Sequence, residues 1–366
     1  VKIGYFIGNT GISGGVKVIL QHVRLLRELG HDALLLTNRI VDDWARVPCN
    51  TLVVREDLGD LPRCDLYVAT VASEVRMLHS REGLRVAHLC QSYEPEGYRA
   101  RLAGESETEK YRVKGLFSFL KRADNNRHFR KRIRAYRATY ALPTIKMAVS
   151  GHLAGIVERE YSQRCFLVQN GVDGTVFHPG AGDRRHTSGS GTVKILSSGS
   201  IHVGAKGIPD TLTAVKLLKD RGFPVELTRV SPGPPSDEEE RSGVVDRFLV
   251  AISEEKMAEA YRESDVFVST SLEGEGFGLP AIEAMCTGIP CVLTEISAYR
   301  GFGTNGDFAC FVPTHRPDAV AEAIMGLRDN VALAERCVER GLEVARAFSL
   351  EKTKEHLAAF AKGISQ

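Results

Sequence analysis

Ser269-Thr-Ser-Leu-Glu-Gly-Glu-Gly-Phe-Gly-Leu-Pro-Ala-Ile-Glu-Ala-Met-Cys-Thr-Gly-Ile-Pro-Cys291 is the stretch from which the fold can be read. The run Asp265–Ser269 that leads into it predicts a buried strand, and its glycine-rich turn opens a helix at Pro280. Proline suits a first helical turn because its missing N–H would have no helical partner there. The amides of Phe277, Gly278 and Leu279, with Gly276 before them, then surround a helix start, where unpaired donors and the dipole favour an anion. Glu275 sits in the turn and Glu283 about one turn into the helix, which Gly288-Ile289-Pro290 closes. A phosphate cradle flanked by two carboxylates suits a ligand bearing both phosphates and hydroxyls, as a nucleotide sugar does.

The same alternation extends outward in both directions. Behind it run a strand at 193–196, a helix at 208–220, a strand at 225–230 and a helix at 254–262. Ahead lie a helix at 280–287, a strand at 291–293 and a helix at 317–328. The first half repeats the pattern, with strands at 2–7, 33–37, 51–54, 65–70, 85–90, 145–149 and 165–168 and an amphipathic helix at 15–29. Gly30-His31-Asp32 ends that helix as a C-terminal glycine should. Strands separated by helices predict parallel sheets with right-handed crossovers. We therefore expect an α/β chain of two doubly wound domains, 1–178 and 192–347, joined by a Pro-, Gly- and Ser-rich linker at 179–191. Residues 348–366 are a further helix with Ser349 as its cap.

Composition agrees with this division. At 366 residues, 43% hydrophobic and 26% charged, the chain has the length of two globular domains. It has no apolar run of membrane-spanning length and no signal-peptide pattern, so a cytoplasmic protein is expected. Eight scattered cysteines without a Cys-x-x-Cys pair read as buried hydrophobes in a reducing compartment. Asp42-Asp43 before Trp44 suggests no metal site, and no resident metal or cofactor is expected. Residues 1–180 carry 27 Lys and Arg against 19 Asp and Glu, and the remainder 21 against 27. The basic front and acidic back point to different partners for the two domains.

The stretch at 269–291 resembles the Glu-x7-Glu signature of the family-four retaining glycosyltransferases with GT-B architecture. Asn170-Gly171-Val172-Asp173 with Phe177-x-Pro179 is similar to that family's closing motif of the first domain. The resemblance implies two Rossmann-like domains facing across a cleft, with the last helix crossing back onto the first. It implies a nucleotide-sugar donor bound by Glu275 through hydroxyls of its sugar and by Glu283 through the ribose, with no metal required. Lys206-Gly207 matches the family's Lys-Gly, whose lysine pairs with the donor diphosphate and stabilises the departing charge. Gly14 and Gly15, after the first strand, would let the backbone approach the donor phosphate and the acceptor. The loop lacks the Gly-x-Gly-x-x-Gly spacing of a dinucleotide binder, which disfavours a dehydrogenase.

One departure is visible. Many members carry Gly-Arg after the first strand of the second domain, whereas Gly199 here is followed by Ser200. His202, a residue from elsewhere, or helix amides alone would have to compensate. On the first domain, His88, Gln91 and Glu94 follow a strand and are candidates for the acceptor or sugar side. Gln91-Ser92-Tyr93-Glu94 resembles a string found in rhamnosyltransferase members.

Residues 117–137 are basic, with Phe129, Ile133, Tyr136 and Tyr140 spaced as one helical stripe and Arg127, Arg130, Lys131, Arg134 and Arg137 around it. Such a segment suits an anionic membrane at its inner face or an acidic glycan. No nucleic-acid motif accompanies it. The implied function is transfer of a hexose or deoxyhexose, rhamnose included, from a nucleotide sugar to a sugar, lipid-linked or small-molecule hydroxyl. The competing readings are a sugar-nucleotide epimerase or phosphorylase, and a catalytically weak binding subunit.

Overall fold

In the computed structural model the described residues are 1–11, 13–41, 50–104, 118–180 and 191–365, with side chains described from Asp124 in the fourth segment. Ile12, Asp42-Asp43-Trp44, Cys49, Phe117 and all but the ends of the linker lie outside them. The described residues form two compact units.

The first unit comprises Val1–Leu102, residues 118–171 and the chain from Leu350. Its strands are β1 (Lys2–Asn9), β2 (Asp32–Arg39), β3 (Thr51–Val53), β4 (Leu66–Ala69), β5 (Val86–Cys90), β6 (Ile145–Ala148) and β7 (Cys165–Leu167). They pair in parallel in the order β3-β2-β1-β4-β5-β6-β7. Between them run α1 (Gly14–Glu28), α2 (Ala72–His79), α3 (Glu94–Ala103), α4 (Ser118–Tyr140) and α5 (Gly151–Tyr161). A parallel sheet covered on both faces needs unbroken apolar strands, and Ile3 to Ile7 of β1 are all buried.

The second unit is built on Val172–Ser349. Its elements are β8 (Val193–Ser198), α6 (Ile208–Asp220), β9 (Val225–Ser231), α7 (Asp237–Ser242), β10 (Val245–Val250), α8 (Glu254–Arg262) and β11 (Val266–Ser269). These are followed by α9 (Leu279–Cys286), β12 (Cys291–Thr294), α10 (Ser297–Arg300), β13 (Cys310–Val312), α11 (Pro317–Asp329) and α12 (Val331–Arg346). The parallel order is β10-β9-β8-β11-β12-β13. Its core packs Ile195, Leu227, Val268 and Val292 of the strands against Leu212 and Val215 of α6 and Ile324 of α11. Each such side chain, fully buried, stabilises by about 1.5–3 kcal/mol.

The last helix, α13 (Leu350–Ile364), returns to the first unit. Phe360 meets Phe166 edge-on at 5.3 Å, Thr353 Oγ1 donates to the Gln169 carbonyl at 2.9 Å, and Lys354 pairs with Glu28 at 2.8 Å.

The strand order fixes where ligands go. In the second sheet the order turns at β8, which has β9 on one side and β11 on the other. Loops leaving the carboxyl ends of β8 and β11 cover opposite faces, and the crevice between them is the usual binding place of such sheets. The first sheet has the same arrangement at β1 and β4. Helix α9 begins at Leu279, one residue before the proline. Gly278 is its cap with φ 91°, a left-handed conformation that glycine adopts without strain, so Pro280 falls second rather than first.

Candidate functional site

Loop 199–207 leaves β8 and loop 270–278 leaves β11, and the two are stitched together. The Leu272 amide donates to the Ala205 carbonyl at 2.8 Å, and Thr270 Oγ1 donates to the Gly207 carbonyl at 2.8 Å. Gly207 has φ 59°, and a Cβ built on it would overlap the Thr270 carbonyl oxygen. Backbone strain and a clash with main chain coincide there. Gly207→Ala is expected to cost about 3 kcal/mol of stability, read as a lowered urea midpoint with unchanged slope.

These stitches bring the predicted Lys206 and Glu275 together. Lys206 Nζ lies 2.7 Å from Glu275 Oε2, with side chains 24% and 12% exposed. Lys206 sits in a short 3₁₀ turn, Gly204–Lys206, and its stem packs over Gly199, where a Cβ would stand 3.0 Å from Lys206 Cγ. Glu275 Oε2 also accepts from Ser271 Oγ at 3.4 Å. A cation and an anion are thus held in contact at the switch point, both partly open to solvent. That arrangement can take a phosphate on the lysine and hydroxyls on the carboxylate.

The turn expected to offer backbone amides, Gly276 to Leu279, follows Glu275 and leads into α9. Phe277 and Leu279 point their side chains inward: Phe277 packs against Phe302 and Phe348, each at 5.5 Å. Gly276 and Gly278 are buried as well, so the turn at the start of α9 is closely packed. A Cβ on Gly278 would overlap the Tyr299 ring, so this close approach also demands glycine. Glu283 is 5% exposed, and its Oε2 lies 3.1 Å from the Tyr261 hydroxyl, which also lies 2.9 Å from the Pro280 carbonyl. Of the two acids, Glu275 is the more open.

Beneath the β8 loop lies a group the sequence reading does not single out. Arg229 of β9 is fully buried, donating from Nη1 to the Ser197 carbonyl at 2.8 Å and from Nη2 to the Gly199 carbonyl at 2.6 Å. Glu239 Oε1 accepts from Nε at 3.2 Å and Nη2 at 3.1 Å. Burial pulls the guanidinium pKa down and the Glu239 charge opposes it. This arginine supports the loop from inside; it does not reach the surface position that Ser200 leaves open. His202 is exposed, with its amide bonded to Ser200 Oγ at 3.3 Å.

In the first unit, Gly14 and Gly15 open α1, with Ser13 Oγ capping the Val16 amide at 3.1 Å. Gly14 is open on its side-chain face, while Gly15 is covered by Gln91, whose Nε2 donates to the Gly15 carbonyl at 3.2 Å. Gln91 therefore does stand at the sheet edge beside the glycine loop. His88 does not. It lies inside β5, 1% exposed, packed on Tyr140 at 4.8 Å, because strand alternation turns it into the core two residues before the edge. Glu94 is bonded to the Tyr140 hydroxyl at 2.8 Å, and burial raises its pKa.

Burial pushes the imidazoles of His88 and His22 down to about 3. Both stay neutral in the folded chain while the unfolded chain takes up protons below pH ~6.5. Stability is therefore whole at neutral pH and falls as pH drops from there toward the folded values, by about 1.4 kcal/mol per pH unit for each imidazole. Urea midpoints at pH 7 and pH 5 should show the loss, and His88→Phe should reduce it.

The basic helix α4 carries its stripe only in part. Phe129 and Tyr140 are buried and Ile133 and Tyr136 half-buried, while Arg127, Arg130, Lys131, Arg134 and Arg137 are exposed. Tyr136 stacks on Tyr98 at 5.8 Å, with Arg132 over both rings. Among the described residues no helix is long and apolar enough to cross a membrane.

Residues 192–330 match the family described as Glycosyl transferases group 1. The phosphatidyl-myo-inositol mannosyltransferase of Mycobacterium leprae is 31% identical over 159 residues, 42% of this chain and 42% of that protein. The chain thus matches less than half the length of this curated relative. Sucrose-phosphate synthase from Thermosynechococcus elongatus superposes with a TM-score of 0.74 at 18% identity, covering 99% of this chain and 98% of that one. HepE from Anabaena, solved in complex with UDP-glucose, superposes with a TM-score of 0.71 at 13% identity, covering 99% of each chain. These likenesses extend over both sheets and show the fold.

Proposed function

We propose, for a chain whose residues 192–330 are a Glycosyl transferases group 1 domain within a GT-B fold, that it is a retaining, metal-independent glycosyltransferase. It moves a hexose or deoxyhexose from a nucleotide sugar to a hydroxyl of a sugar, lipid-linked or small-molecule acceptor. The observation that carries this reading is the Lys206–Glu275 pair, 2.7 Å apart, with Glu275 in the turn that leads to the start of α9.

In this reading Lys206 and the amides of Gly276 to Leu279 hold the donor diphosphate. Glu275 accepts hydroxyls of the transferred sugar and Glu283 those of the ribose. The bond between the anomeric carbon and phosphate breaks, and its electron pair leaves with the nucleoside diphosphate. The acceptor oxygen bonds the same carbon on the same face and passes its proton to a departing phosphate oxygen. Lys206 and the helix amides stabilise that growing charge more in the transition state than in the ground state, which is what accelerates the step. No resident metal is needed for it.

Mannose is the first sugar to test, because the Mycobacterium leprae relative is named for it. That name also favours a lipid-borne acceptor, for which the exposed cations of α4 offer contact with an anionic membrane face in the cytoplasm. The test is a thermal-shift panel of GDP-, UDP-, ADP- and TDP-sugars followed by product analysis. One donor should raise the melting temperature and be consumed only with an acceptor present. Isomerisation of the donor without acceptor would instead establish the epimerase alternative, and indifference to every donor would remove the proposal. Lys206→Ala should weaken nucleoside diphosphate binding about 30-fold by calorimetry, the loss of one charge-assisted contact.

A further inference from the structure

Glu275 is held by one oxygen only. Oε2 accepts from Lys206 Nζ at 2.7 Å and from Ser271 Oγ at 3.4 Å, while among the described residues no group bonds Oε1. Behind Ser271 the chain of hydroxyls continues inward. The Tyr299 hydroxyl lies 3.0 Å from Ser271 Oγ and 2.6 Å from Ser269 Oγ. Ser269, Ser271 and Tyr299 are all buried. Each hydroxyl has one proton to give, and an ionised carboxylate only accepts. Ser269 Oγ also lies 3.2 Å from Ser271 Oγ, so the three hydroxyls close a triangle whose outlet is Ser271: Ser271 donates to Glu275, Tyr299 to Ser271, and Ser269 to Tyr299 or to Ser271. Bonds aligned this way in a dry interior polarise one another.

The far end is anchored by the same turn. Glu273 Oε1 accepts from the Ser297 amide at 2.9 Å and from Ser297 Oγ at 3.1 Å, fixing the start of α10, the helix that carries Tyr299. Thr294 Oγ1 bonds the Ser271 carbonyl, and the Tyr299 ring fills the space beside Gly278. Glu273 therefore sets Tyr299, and Tyr299 through Ser271 sets Glu275, two residues along from Glu273. Burial and the nearby Glu275 charge raise the Tyr299 pKa, so the phenol keeps its proton at any working pH.

We propose that Ser271 and Tyr299 are positioning residues that fix Oε2 of Glu275 and leave Oε1 for the donor sugar. The proposal rests on the glycosyl-transfer reading. In that reading Lys206 serves both the diphosphate and Oε2, whereas Ser271 and Tyr299 act on the carboxylate alone.

The test compares Ser271→Ala, Tyr299→Phe and the double variant, each measured for kcat, KM and nucleoside diphosphate affinity. Each single change should lower kcat about tenfold, with KM and diphosphate affinity within about twofold of the parent. Because both interrupt one relay, the double variant should lose no more than the worse single. Unchanged kcat in both singles would overturn the proposal. So would losses that multiply in the double and follow a falling melting temperature, which is the mark of a merely structural role. If Tyr299→Phe does not fold, the kcat and affinity values of Ser271→Ala decide alone. A parent protein that transfers no sugar fails the earlier reading; one that transfers sugar with both variants unaffected fails only this one.

Discussion

Glu275→Gln should lower kcat by about 10³-fold while leaving the melting temperature and nucleoside diphosphate affinity close to the parent. The amide is nearly the shape of the carboxylate, so packing is retained, but the charge facing Lys206 and the sugar is lost. Lys206 is then unpaired in the resting protein, and a diphosphate can occupy it with less competition. Affinity should therefore hold or rise as turnover falls, a split that a folding defect does not give. Single-turnover rates with the identified donor, beside calorimetry with the nucleoside diphosphate, measure both sides. Full turnover in the variant would take Glu275 out of the mechanism.

The largest expected loss of stability comes from Arg229→Leu. It leaves the Glu239 carboxylate, 2% exposed, without its ion-pair partner and strips donors from the Ser197 and Gly199 carbonyls. An uncompensated buried charge costs about 3–5 kcal/mol. Urea denaturation followed by far-UV circular dichroism should show it as an early transition. Changing Glu239 to Leu in the same protein should restore part of the loss by removing the stranded charge. The rest should persist, because the two carbonyls remain unsatisfied. A single-variant loss under about 1 kcal/mol would mean that water reaches these groups.

The legibility of the chain follows the physics of each element. Helices Ile208–Asp220 and Glu254–Arg262 can be read at their observed bounds because Gly207 and Ser253 mark the starts and the apolar period is clear. Val245–Val250 is the outer strand of its sheet, half-buried or exposed throughout, so it lacks the apolar run that identifies the central strands. Cys310–Val312 has only three residues and too few side chains to show a period. Helix Val331–Arg346 did leave a signal, since Asn330 caps it by accepting from the Leu333 amide at 3.0 Å.

At the site, Lys206 and Glu275 are legible because each lies in a short stretch, Lys206-Gly207 and 269–291, that resembles a family motif. Arg229 is not, because its partner Glu239 lies ten residues away beyond a turn and only folding brings them together. Ser231, one residue past the strand read at 225–230, is the buried end of β9, and the loop proper begins at Pro232. The serine–tyrosine relay joins residues 30 apart through the packing of α10, which no local pattern encodes.

The return of α13 to the first unit has a consequence for synthesis. The ribosome makes the first sheet early, but the helix that covers Phe166 and pairs with Glu28 is translated after every strand of the second. The lobe begun first is thus closed last, contrary to the usual N-to-C progress of nascent domains. Until α13 is made, the apolar flank around Phe166 stays uncovered on the growing polypeptide and is open to a chaperone.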